Sequence, residues 1–131
     1  MPHLQFEINK TLDKKIKIKF IKFAEESFSK IMQTGSDHIA ISIREFKKGN
    51  LSLGRAGLND FICLMNLDIR SGRTVKQKKK LIKTFILGVE KYFGIKKDLQ
   101  YVTITEHKGV EFNFYEKSLS DWIKNDDPAN R

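Results

Sequence analysis

The chain holds one cysteine, two prolines and one tryptophan in 131 residues, and each scarcity removes a class of protein. A single thiol, Cys63, cannot close an internal disulfide. Its place inside an apolar stretch reads as a small buried hydrophobe. No apolar run reaches the ~18 residues that a membrane-spanning helix needs. The first residues lack the charged-then-apolar layout of a secretory leader, so a cytoplasmic protein without a membrane partner is expected. His38, His107 and Cys63 show no metal-ligand spacing, and neither a glycine-rich phosphate loop nor a Ser or Cys nucleophile motif is present. No metal and no cofactor are therefore expected. Arginine is scarce as well, with five against 20 lysines, whereas proteins that read phosphates and base edges in a two-pronged way are arginine-rich.

What is present is a folding composition. Forty percent hydrophobic residues with ten phenylalanines point to one globular domain, and 131 residues fit one core rather than two. The net charge of +9 admits a nucleic acid, an acidic membrane or an anionic small molecule as partner. Most lysines fall between the apolar positions of two helical patterns and read as a solvated face. The densest cluster, Lys76, Lys78, Lys79 and Lys80, opens a helix and adjoins a candidate anion site.

Taken in order, residues 2 to 8 alternate Leu4, Phe6 and Ile8 against His3, Gln5 and Glu7, a strand with one buried face. Asp13 then caps a helix carried by Ile16, Phe20, Phe23, Ala24, Phe28 and Ile31, with Gly35 as its expected stop. Residues 38 to 46 alternate again, with Arg44 near the strand's end. The span from Lys47 to Asp60 loses periodicity and reads as a long hairpin or mobile surface loop. The nearly continuous apolar run from Phe61 to Ile69 suits a strand covered on both faces. A turn through Gly72 and Arg73 leads to a Thr74–Gln77 capping box, and a second helix runs to Gly94. Tyr101 to Glu106 form the last main strand, and Phe112 to Phe114 are expected to add a short closing strand. The tail, 118–131, reads as briefly helical around Trp122 and then frayed.

The order is thus strand, helix, strand, used twice, over about 2–60 and 61–117 within one domain spanning 1–117. A helical crossover makes the strands on either side of it parallel. Pro2 has two readings at this point. It begins a strand where a missing N–H does no harm, or, with Met1 removed, it offers a terminal secondary amine as a base.

Two features coincide with this doubled plan: the opening Met1-Pro2-His3, and the Ser71-Gly72-Arg73-Thr74 turn into the second helix. Together they resemble the tautomerase superfamily, and within it the 5-carboxymethyl-2-hydroxymuconate isomerases. Ile43-Arg44 matches the pair that ends the second strand there, Gly72-Arg73 the pair that opens the second helix, and Asn113-Phe114 a pair near the end. The resemblance covers roughly residues 2 to 115. It implies an α/β (α+β) fold with a four-stranded mixed sheet, two helices on one face, and a homotrimer with sites at subunit boundaries. It also implies an isomerase of the kind used in aromatic compound degradation, acting on a small carboxylated enol or dienol. Pro2 would be the general base and acid, Arg44 and Arg73 the carboxylate binders, and Phe114 an apolar wall. The loop at 47–60 departs from its counterpart in those isomerases, which leaves the substrate open.

Two other readings stand beside this one. An RNA-binding ferredoxin-like domain has the same element order, but the third strand offers only Phe61 for base stacking. A tautomerase-fold binding protein without catalysis is the other.

Overall fold

The computed structural model describes residues 2–116, and the tail expectation, Trp122 included, lies outside them. Each helix begins where a side chain satisfies a backbone N–H that has no partner within the helix. Asp13 Oδ1 accepts from the Lys15 N–H at 2.9 Å and opens helix α1, Lys14–Met32. Thr74 and Gln77 form the reciprocal box, with bonds of 3.1 and 3.0 Å, that opens helix α2, Val75–Phe93. Helix α2 stops at Gly94, whose φ of 68° is the left-handed bend expected there.

Helix α1 stops earlier than Gly35. The bend falls on Gln33, at φ 53°. Ser29 explains it: its carbonyl accepts from the Thr34 N–H at 3.1 Å, and its hydroxyl donates to the Thr34 carbonyl. This clasp turns the chain two residues before the glycine.

The strands are β1 (His3–Ile8), β2 (Ala40–Glu45), β3 (Cys63–Arg70) and β4 (Gln100–His107), in the sheet order β2-β1-β3-β4. Pairs β1·β2 and β3·β4 are parallel, and the central pair β1·β3 is antiparallel, so the sheet is mixed. Both helices pack on one face. Leu4, Phe6 and Ile8 of β1 and Met65, Leu67 and Ile69 of β3 are buried there against Phe20, Phe28, Phe85 and Phe93. Phe20 is the hub, 4.9 Å from the Phe6 ring and 4.3 Å from that of Phe93. Full burial of such a ring is worth roughly 1.5–3 kcal/mol in transfer from water, before the edge-on contacts add their share.

Three expectations are corrected here. Within one chain, strand β3 is covered on one face only: buried residues alternate with the half-buried Leu64, Asn66 and Asp68, because the helices occupy only one side. Residues 112–114 form no closing strand beyond a single bridge residue, Asn113. The Phe112 N–H bonds back to the Gly109 carbonyl at 3.1 Å, closing a 3₁₀ turn at Gly109–Glu111 in place of a ladder. Nor is the 47–60 segment a loose loop. Leu51, Leu53 and Ala56 pack on the core, and Asn9 receives the Ile62 N–H at 2.8 Å while donating to the Asp60 carbonyl at 3.0 Å.

Candidate active site

The sheet register decides which residues share an end of the molecule. His3 of β1 lies between Ala40 of β2 and Asp68 of β3. Pro2, one residue earlier, therefore sits at the level where β2 begins and β3 finishes. It is buried, and its carbonyl accepts from the Ala40 N–H at 3.0 Å. The chain leaves β3 at this same end and makes the turn containing Arg73, so Pro2 and Arg73 share an end of the sheet. Gly72 carries φ 114° in that turn, a conformation that glycine adopts without strain.

Arg73 is 7% exposed, and Arg70, the last residue of β3, is 1% exposed. Buried guanidinium groups keep their charge, so this end of the sheet holds two buried cations, with Asp68, Glu106 and Glu111 at the same end. His38, 3% exposed, joins them from the turn before β2. The N-terminus of α2 follows Thr74 directly and adds its partial positive charge at the same end.

Arg44 is elsewhere. Its register partner is Glu7, whose carboxylate lies 3.7 Å from the Arg44 Nη1, and its side chain is 55% exposed. Five residues of strand separate Glu7 from Pro2, a distance of about 16 Å at ~3.3 Å per residue. Within one chain, then, Arg73 lies at Pro2's end and Arg44 does not. Phe114, partly exposed, follows the Gly109–Glu111 turn, and that turn leaves β4 at His107, opposite Arg70 and so at Pro2's end.

The helix-free face of the sheet carries a polar network near this end. Asp68 accepts from Gln5 at 3.0 Å and from Asn66 at 3.3 Å, and its other oxygen lies 3.2 Å from His107 Nε2. His107 Nδ1 lies 3.1 Å from the Glu111 carboxylate. With Asp68 as the main cause and Glu111 second, the imidazole is held above its ordinary pKa. The Phe112 ring meets His107 edge-on at 5.5 Å, so one imidazole joins the sheet to the segment that carries Phe114. His3, next to the proline, is held by Ser42 Oγ at 3.1 Å. Along this face, a depression of about 290 Å³ is lined by Gln5, Glu7, Leu64, Asn66, Tyr101 and Thr103. Base stacking needs aromatic rings on the central strands, and the open-face residues of β1 and β3 are His3, Gln5, Glu7, Leu64, Asn66 and Asp68. Cys63 is fully buried, and burial drives its thiol pKa far up, which removes it as a nucleophile. Among the described residues no group of His, Cys, Asp and Glu side chains is placed to hold a metal ion, and no helix is long and apolar enough to cross a membrane.

Sequence reasoning did not single out Arg70 or the Asp68–His107–Glu111 chain. For Arg70 a signal existed: it stands three residues before Arg73 across a glycine turn. For the carboxylate–imidazole chain none did, because Asp68 and His107 lie 39 residues apart and only the β3·β4 register joins them.

No protein-family model and no curated relative matches the chain. Solved structures do match. A fused 4-OT, wild type, as a symmetric trimer, aligns with a TM-score of 0.79 at 17% identity over 90% of this chain and 94% of that one. The macrophage migration inhibitory factor of Toxoplasma gondii aligns at 0.77 and 13% identity, over 89% of this chain and 99% of that chain. N1, a member of the cis-3-chloroacrylic acid dehalogenase family, aligns at 0.78 and 19% identity, over 91% and 84%. These neighbours belong to the tautomerase superfamily, and the chain has their fold.

Proposed function

We propose that this tautomerase-fold chain is an enzyme that moves a proton on a small carboxylated enol or dienol, with the amine of Pro2 as the acid–base group once Met1 is removed. The observation that carries the reading is the sheet register, by which a buried Pro2 shares its end of the molecule with buried Arg73 and Arg70. An amine serves as a base near neutral pH only if its ammonium form is disfavoured. A desolvated place at the sheet's end would do this, and the guanidinium groups at the same end would do it further. The same cations attract a carboxylate, which Arg73 can grip through two parallel N–H bonds. Charge that accumulates on the enolate oxygen as the proton leaves is stabilised by the cations and by the first turn of α2.

Arg44 enters this scheme only from a second copy. Its own chain keeps it about 16 Å from Pro2, so a site that uses both needs a neighbouring subunit to supply the second carboxylate binder. A homotrimer accords with the 4-OT neighbour, itself a symmetric trimer. Phe114, following the segment latched by His107, is assigned as the apolar wall. A substrate with several carboxylates, such as a 5-carboxymethyl-2-hydroxymuconate, suits two arginines better than a monocarboxylate does.

The test is ketonisation of a 2-hydroxymuconate-type dienol by protein whose N-terminus has been read by intact mass. Turnover is expected with a free Pro2, and its loss is expected both in Pro2→Ala and when Met1 is retained. Equal turnover with and without Met1 would remove the amine from the mechanism.

A further inference from the structure

The proposed chemistry uses one end of the sheet and leaves the outer surface of the helix layer unexplained. That surface is dominated by one sign of charge. Helix α1 exposes Lys14, Lys15, Lys19, Lys22 and Lys30, and helix α2 exposes Lys76, Lys79, Lys80, Lys83 and Lys91. Against these ten stands one exposed acid within the helices, Glu26. None of the ten forms an ion pair with another described residue. The helix lysines that do, Lys17 and Lys78, lie at the flanks, where they reach Glu45 of β2 and Glu106 of β4 at 2.6 and 2.7 Å. The flanking lysines are thus ion-paired, whereas the outward ones, with Glu25 and Glu26 near Lys22 and Lys30 as the local exception, greatly outnumber the acids around them.

Aliphatic side chains stand among the lysines. Ile18 is 56% exposed, Val75 64% and Leu87 45%. Leu87 continues into a shallow apolar groove with Ile82 and Ile86, rimmed by Lys79, Lys83 and Lys97. Two neighbouring helices of 19 residues each, about 28 Å long, make this face broad.

We propose that the outer face of the helix layer docks on an anionic phospholipid membrane. Charge complementarity selects the partner's sign, and three further features select its kind. Lysine presents a compact, mobile point charge, which suits a diffuse anionic surface better than the two-pronged reading of single phosphates. Exposed aliphatic side chains amid the lysines can enter the headgroup boundary, as in basic amphipathic helices that lie on membranes. No aromatic ring stands exposed on this face to stack a base, which disfavours single-stranded nucleic acid. The sequence expectation of no membrane partner rested on the lack of a spanning segment, and surface docking needs none.

The experiment is co-sedimentation of the full chain with vesicles at physiological salt, comparing pure phosphatidylcholine with a mixture one-third phosphatidylserine. Binding to the mixture alone is expected. Lys80→Glu with Lys83→Glu should weaken it on the order of ten-fold, since each lysine near an anionic surface adds measurably to attachment. Lys47→Glu with Lys108→Glu makes the same change in net charge away from the helices and should leave binding within about two-fold. Leu87→Gln should weaken binding several-fold at unchanged charge, with circular dichroism used to check the fold of each variant. No binding to the anionic vesicles overturns the proposal. So does equal loss in the two charge pairs, which would reduce the effect to net charge, or full displacement of the protein from vesicles by single-stranded RNA at equal phosphate.

Discussion

Arg73 and Arg44 share a proposed task in opposite surroundings, and the surroundings set what their removal does. Arg73, 7% exposed, sits where water is largely excluded, a setting in which charge-assisted bonds are strong. Arg73→Ala should raise KM and lower kcat/KM by roughly 10- to 100-fold, the equivalent of about 1.5–3 kcal/mol for hydrogen bonds to a charged group. Arg73→Lys should recover only part of that, because an ammonium lacks the two-pronged fork. Steady-state kinetics on the two variants checks both points. His107 carries a prediction of another kind. Its pKa is raised above 6.5 by Asp68 first and Glu111 second, so the folded protein binds its proton more tightly than the unfolded chain. The stabilisation is fully present below the unfolded pKa and is lost as pH rises through the folded one. His107→Gln should therefore remove a downward slope of Tm on the alkaline side of about pH 6.5, and thermal melts across that range measure it.

At the level of elements, Gly88 in the middle of α2 shows what close packing requires. A Cβ at that position would lie 2.1 Å from Phe23 Cε2 and 2.5 Å from Cζ. The ring cannot simply swing away, because Phe20 and Tyr92 flank it with centroids at 5.9 and 5.4 Å. Gly88→Ala gains up to ~1 kcal/mol of helix propensity, yet overpacking of this kind costs typically 1–3 kcal/mol. The expected result is a net loss of about 1 kcal/mol, read as a lower urea midpoint. Nothing in the sequence marks Gly88 as a contact point, since the ring it meets belongs to the other helix. The helix starts were legible for the opposite reason: Asp13 and the Thr74–Gln77 box act within three residues of themselves. The end of α1 was misplaced because Ser29, five residues upstream, fixes the Gln33 bend through Thr34. Alternation revealed β1 and β2, while the apolar run of β3 hid which face is open. The antiparallel junction of β1 with β3 follows from neither period nor spacing, and the resemblance supplied only that the sheet is mixed. The candidate site divides in the same way, with Pro2 and Arg73 legible as short motifs and Arg70 and His107 brought in by the register.

At the scale of the whole molecule, a site assembled from two copies makes a prediction that no single-chain site shares. Pro2→Ala and Arg44→Ala should each lose most of the activity. Unfolding the two variants together and refolding them as an equal mixture should restore about a quarter of the wild-type rate, since one boundary in four then joins an intact Pro2 to an intact Arg44. A mixture as inactive as its parents would place both residues' roles within one chain. The assembly itself should sediment as a particle three times the 15.3 kDa chain. The sheet order β2-β1-β3-β4 also bears on how the protein is made. The first strand to leave the ribosome is an inner one, and it has no neighbour until Ala40–Glu45 and then Cys63–Arg70 emerge. Throughout that interval the amino terminus stays open to the enzymes that trim nascent chains. Once both neighbours have paired, Pro2 is buried. If the proposed mechanism holds, removal of Met1 is expected during synthesis, while β1 still lacks both its neighbours.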